Sequence, residues 1–201
     1  FPTRRSSDLG GPSSEEIASM LCQNNMEKEK SDSTDKKSSY IAVRAGIFGK
    51  NAKYINNYFS QKDFVLDKKN HEISLPGCLF STNKLKGEVY NSQETTLSHP
   101  EFFSQSGTIS WDINFERMFD FPKGTKQKPF YWVATGADTA YSGVITVDGI
   151  IYNILPMKCS GYTDKNWGLD IPRPFLHLSS SNLVSLISGK KVHHQSFSIH
   201  G

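Results

Sequence analysis

From Tyr40 onward, apolar and polar positions alternate over short runs, and the runs are separated by Gly, Asn, Asp and Pro. A period of two places alternate side chains on opposite faces of a strand. Punctuation of that kind marks turns, so the pattern predicts an antiparallel all-β chain rather than strand–helix units. The predicted strands cover 41–48, 53–59, 72–75, 78–81, 85–90, 107–116, 130–135, 142–147, 150–155 and 174–180. The sharpest local signal is VITVDGIIYNI, 144–154, where Asp148-Gly149 supplies the positive backbone angles of a two-residue hairpin turn. So many short strands need a sandwich or a barrel to remove or shelter their edges, and roughly 160 ordered residues can bury one sizeable core.

Before Tyr40 the pattern changes. Ser13-Ser14-Glu15-Glu16 resembles a capping box, with Ile17, Met20 and Leu21 on one helical face, so a short N-terminal helix is predicted there. The stretch MEKEKSDSTDKKSS, 26–39, has no apolar residue after Met26 and reads as a disordered linker. The opening FPTRRSSDL, 1–9, resembles the translation of a sequencing adapter and is expected to lie outside the fold. At the other end KKVHHQSFSIHG, 190–201, alternates like a strand without a closing turn. Residues 40–201 are therefore expected to be one β domain truncated at its C-terminus.

With 201 residues and a formal charge of +3, the chain has neither the basicity of a nucleic-acid binder nor an acidic tail. No run of about 18 apolar residues is present, so no membrane-spanning helix is predicted. Cys22, Cys78 and Cys159 lack CxxC spacing and are expected to pack as small hydrophobes. The absence of an Asn-x-Ser/Thr sequon leans toward an intracellular home, and localisation is otherwise open.

Hydrolase and phosphate-loop signatures are missing: there is no GxSxG, HExxH, GxGxxG or GxxxxGK. No cofactor is expected. A metal site would rest on His193, His194 and His200, but neighbours on a strand point to opposite faces, and none is predicted. Aromatic residues make up 12% of the chain, and Phe102, Phe103, Trp111, Phe115, Phe119, Phe121, Phe130, Tyr131, Trp132, Tyr141, Tyr152, Trp167 and Phe175 lie in or beside the central strands. They either fill a core or line a lumen for a long apolar ligand, and spacing leaves both open.

One stretch is unusual: GYTDKNWGLDIPRP, 161–174, sets an acid, a base, an amide and an indole side by side, where they read as a corner closing one end of a barrel. Asp164 and Lys165 can satisfy each other or a turn there, as structural residues. YTDKNWG, followed by Pro and by Phe175-Leu176-His177-Leu178, resembles the Tyr-x-(Glu or Asp)-Lys-Asn-Trp-Gly, Pro, aromatic-strand motif of the tocopherol cyclase family. The hairpin segment Ser142-Gly143-Val144-Ile145-Thr146-Val147-Asp148-Gly149 is similar to one that precedes the motif in that family. CLFSTNKLKGEVY, 78–90, is similar to its strand pair with a Leu-Lys-Gly step. The resemblance covers about 40–188. It departs at Leu169-Asp170-Ile171, where plant members are glycine-rich, and at Phe175 and His177, which replace an aromatic pair. Plant-like substrate specificity is therefore not implied.

The resemblance implies a lipocalin-like fold of two β-barrel lobes, related to carotenoid hydratases. This chain would supply the first lobe and the start of the second, as a closed barrel or a strongly bent sandwich. The implied activity is an isomerisation that closes the chromanol ring of a prenylated hydroquinone, without a redox cofactor or a metal. Asp164 is then the candidate catalytic acid, Lys165 and Asn166 orient the head group, and Trp167 shields a cation or seals the barrel. Tyr162, Trp132 and Phe175 complete the expected ligand-binding set. The expected partner is a hydrophobic small molecule, a prenyl quinol or another isoprenoid lipid. No nucleic acid and no transmembrane segment are expected, and peripheral membrane contact is allowed. Two other classes stay open: a lipocalin-like carrier without chemistry, and an all-β interaction module with a filled core.

Overall fold

In the computed structural model the described residues are 40–119, 126–127, 130–156, 158–168, 176–192 and 195–200. The predicted helix at 13–21, the linker at 26–39, the adapter-like 1–9, and residues Phe175, His193 and His194 lie outside them. The described residues form mostly antiparallel β-sheet, as the alternation predicts.

Strands β1 (Tyr40–Ile47) and β2 (Lys53–Ser60) form a two-stranded sheet, in register from Tyr40↔Ser60 to Ile47↔Lys53. A larger sheet contains β3 (Val65–Asp67), β4 (Glu72–Leu75), β5 (Cys78–Phe80), β6 (Lys84–Asn91), β7 (Gly107–Phe119), β9 (Phe130–Val147) and β10 (Ile150–Ile154). Its order is β10-β9-β7-β6-β5-β4-β3, and β8 (Lys126–Gln127) and β11 (Ser160–Gly168) pair with β9 off that path. Among the described residues the order is open, ending at β10 and β3 rather than closing on itself. A third sheet joins β12 (His177–Ser180) to β13 (Phe197–His200). Residue packing separates two units: 40–112 with Val144–Tyr152, and Ile113–Gly143 with 153–200.

In the first unit, Ile41, Val43, Ala45 and Ile47 on β1 and Ile55 and Phe59 on β2 pack with Leu75, Cys78, Val89, Ile109 and Val147 from the large sheet. Period-two alternation supplies one apolar face per strand, and two such faces make the core. Cys78 behaves as a hydrophobe here, and burial pushes its thiol pKa up.

Polar residues also tie this unit together. The Asn56 amide donates to the Phe102 carbonyl at 2.9 Å, and Asn91 Nδ2 donates to the Asn56 carbonyl at 3.2 Å. Asn57 accepts from the Tyr90 N–H at 2.9 Å and donates to the Tyr90 carbonyl at 3.0 Å. These side chains take the place of backbone ladder partners, which lets Asn56 and Asn91 be buried without an unmet polar group.

A helix that the alternation did not predict, α1 (Gln93–Ser98), starts at Ser92, whose Oγ accepts from the Thr95 N–H at 2.9 Å. An N-cap serine satisfies one of the amides that the first turn leaves open.

The predicted Asp148-Gly149 turn is present, with φ of 47° and 84°. Asp148 additionally ion-pairs with Lys53 and accepts from the Thr108 N–H at 2.9 Å. The Lys53 hydrogen bond, and then the Thr108 amide, hold the Asp148 carboxyl below the usual aspartate range. A carboxyl depressed by folding stabilises the native state above its unfolded pKa of about 3.9, and that contribution disappears as pH falls through the folded value. Asp148→Asn keeps a residue suited to positive φ and removes the charge together with one of the two acceptor oxygens. The wild-type protein is expected to melt above the variant at neutral pH, with the gap closing as pH drops below about 4. Melting temperatures measured against pH would refute this if the gap stayed constant.

Candidate functional site

The second unit places the candidate residues on β9, β11 and β12. Along the start of β9, Phe130, Trp132 and Ala134 are buried on one face, Trp132 at 6% exposure and Ala134 at 1%. Tyr131, Val133 and Thr135 alternate onto the other face. Strand β11 runs antiparallel to it, pairing Asp164↔Ala134, Lys165↔Val133, Asn166↔Trp132 and Trp167↔Tyr131.

Directly paired residues share a face, so this register divides the YTDKNWG motif in two. Asp164 and Asn166 belong with Trp132 and Ala134; Lys165 and Trp167 belong with Tyr131 and Val133. The register shifts between Gly161 and Asp164, which is bulge geometry, and Tyr162 packs against Phe130, Trp132 and Ala134. Gly161 is required at that bulge: a Cβ there would lie 2.8 Å from Cε2 of Tyr141. The Tyr141 hydroxyl in turn hydrogen-bonds the Thr163 hydroxyl at 2.9 Å.

On the inner face, Trp132 Nε1 donates to Asp164 Oδ2 at 2.8 Å. His177 of β12 is 5.5 Å from the Tyr162 ring and meets the Trp132 ring edge-on at 6.3 Å. One half-buried carboxyl thus bonds an indole that in turn packs with Tyr162 and meets an imidazole. On the other face, Trp167 stacks on Tyr131 at 5.4 Å with an interplanar angle of 6°. Lys165 Nζ lies 5.5 Å from the Trp167 ring, a cation–π contact.

These positions alter several expectations. The stretch read as a corner is the strand β11 through Gly168, because its backbone groups pair with β9. Asp164 and Lys165 do not pair with each other, since neighbours on a strand face apart; the acid takes the indole N–H and the base takes the indole face. Trp167 is 42% exposed and covers Tyr131 on the face opposite Asp164. The structure thus brings together Asp164, Tyr162 and Trp132, puts Asn166 at the exposed end of that face, and sends Lys165 and Trp167 elsewhere. Phe175 lies outside the described residues.

Sequence reasoning did not select His177, although it sits within the quoted motif, or Tyr131. Strand parity on β9 would have found Tyr131 once β11 was recognised as its partner. The first unit also holds an open trough of about 420 Å³ lined by Lys86, Glu88, Ser110 and Asp112 among others. Lys84 and Lys86 ion-pair with Asp112 there at 3.0 and 3.5 Å, which lowers the pKa of that aspartate. Among the described residues, no group of His, Cys, Asp and Glu is arranged to hold a metal ion. No protein-family model, curated protein or solved structure matches the chain.

Proposed function

We propose that the chain binds a prenylated hydroquinone or a similar isoprenoid lipid, and that Asp164 serves ring closure of the tocopherol cyclase type. The observation that supports it is the Trp132–Asp164 hydrogen bond beside the Tyr162 and His177 rings. Ring closure requires a carboxylic acid, a phenol and faces that tolerate positive charge. The protonated Asp164 Oδ1 would add its proton to the trisubstituted alkene, giving a tertiary cation. The phenol oxygen would then capture the cation to form the new C–O bond, and the phenolic proton would return to the carboxylate. Atoms and electrons balance, and no oxidant enters. Tyr162 and Trp132 would flank the cation.

A second reading has its own support. The Trp132 indole N–H, by donating to Oδ2, fixes the Asp164 carboxyl in place and leaves its other oxygen to meet a ligand. An ionised Asp164 accepts a phenol O–H and holds the ligand without protonating it. That describes a carrier.

The two are separated by incubating the full chain with a prenyl hydroquinone and analysing bound lipid and product by mass spectrometry. Under the catalytic reading, chromanol forms and Asp164→Asn lowers its rate by about 10²–10⁴-fold while binding persists. Binding without product in the wild type selects the carrier. Absence of binding overturns both.

A further inference from the structure

Between β12 and β13 the chain makes a tight loop. Val184 and Lys191 form an antiparallel bridge, flanked by Ser185 N–H donating to the Lys190 carbonyl and Val192 N–H donating to the Leu183 carbonyl, each at 2.9 Å. Gly189, at a φ of 67°, closes the turn by donating to the Ser185 carbonyl at 2.8 Å. The Ser185 hydroxyl accepts from the Ser188 N–H at 3.2 Å. The backbone at the apex is therefore held by its own hydrogen bonds.

The apex presents Leu186 and Ile187, which are 102% and 100% exposed. Isolated aliphatic residues are common on protein surfaces, but here two neighbours project fully from an ordered tip and cover nothing of their own unit. Directly behind them stand Lys190 and Lys191, both exposed. From 171 to 201 the sequence contains Arg173, Lys190 and Lys191 and no Asp or Glu. The loop thus combines an apolar point with a basic collar that no nearby acid along the chain offsets.

We infer that this loop docks the chain onto an anionic lipid surface, with Leu186 and Ile187 entering the boundary between headgroups and acyl chains and Lys190 and Lys191 meeting lipid phosphates. Two side chains are too little for a stable protein–protein interface, which buries about 800 Å² on each partner. A bilayer requires no such area and no shape match. Burial of each aliphatic side chain strengthens binding roughly tenfold or more, and each lysine near an anionic surface adds about fivefold. Together they give the two signals, one apolar and one electrostatic, that peripheral attachment requires. Long lysine stems let the ammonium groups reach the phosphates while the apex inserts. The inference does not depend on which lipid, if any, the Asp164 face holds.

The test is co-sedimentation of the full chain with phosphatidylcholine vesicles, with and without phosphatidylserine. The wild type is expected to bind the phosphatidylserine vesicles more tightly, and to release as salt rises. Leu186→Ser with Ile187→Ser should weaken binding about 100-fold to both compositions, and Lys190→Gln with Lys191→Gln should remove most of the phosphatidylserine preference. Both pairs are solvent-exposed, so their melting temperatures should match the wild type. Wild type that ignores vesicles, or an apex variant that binds as well as wild type, overturns the inference. So does self-association that is abolished by the apex substitutions in a chain that ignores vesicles.

Discussion

Trp132→Ala is expected to lower stability by about 3–5 kcal/mol, the range for emptying a large aromatic site from a packed interior. Trp132 is one of the most enclosed side chains of its unit, packed with Phe130, Ala134 and Tyr162. Truncation removes that contact surface and also the N–H that Asp164 accepts. The two losses separate in part in Trp132→Phe, which keeps an aromatic ring, smaller than the indole, and deletes the donor; its expected cost is about 1–3 kcal/mol, for a half-buried carboxyl deprived of a partner and a little lost packing. Urea midpoints at an unchanged slope would measure both. If Trp132→Phe matched the wild type, the indole–carboxylate bond would contribute nothing, and the rings would act by packing alone. A double-mutant cycle with Asp164→Asn isolates the coupling, because the two side chains touch. Coupling near zero would also remove the main structural support for placing Asp164 in the ligand site.

Ile55→Ala is expected to cost about 2–5 kcal/mol, and Ile55→Val about 0.5–1.5 kcal/mol. Ile55 is 0% exposed in the middle of β2, against Val43, Val89, Ile109 and Val147. Its position explains why a spread is expected: the flanking Asn56 and Asn57 amides pin β2 to its neighbours, so the backbone cannot settle into the space that alanine leaves. The resulting cavity persists and adds to the loss of transfer free energy. Hydrogen exchange of the β2 and β6 amides should accelerate in proportion. An alanine variant no less stable than the valine variant would show that this core collapses freely, contrary to the asparagine clamp.

Most of the strand framework was readable because one-sided burial writes itself as alternation. β1, β2, β4, β5, β6, β7 and β10 lie within a few residues of their predicted ranges, and the Asp148-Gly149 turn falls between the expected strands. Besides α1 and the two-residue β8, three features of the sheet were not readable. The stretch 136–141, rich in small residues, was expected to break β9 into two strands. Instead it runs on as one strand, since Gly136, Thr139 and Ala140 find backbone partners in Thr163, Gly161 and Ser160. β3 is only three residues long and its Val65 and Leu66 are exposed, so no buried face marked it. β11 was missed because Asp164, Lys165 and Asn166 carry little strand propensity, and cross-strand pairing overrode that preference.

The candidate site follows the same division. The sequence by itself determined that the chain would be antiparallel β, that Asp148-Gly149 would reverse it, and that a carboxyl, a base, an amide and an indole would be neighbours along 164–167. Only the tertiary structure decided which of those neighbours act together. Pairing with β9 places Asp164 against Trp132, and sends Lys165 and Trp167 to the opposite face with Tyr131. The physical reason is the pleat: side chains adjacent in sequence point apart on a strand, while residues more than thirty positions away are brought side by side by the register of a partner that local sequence does not specify.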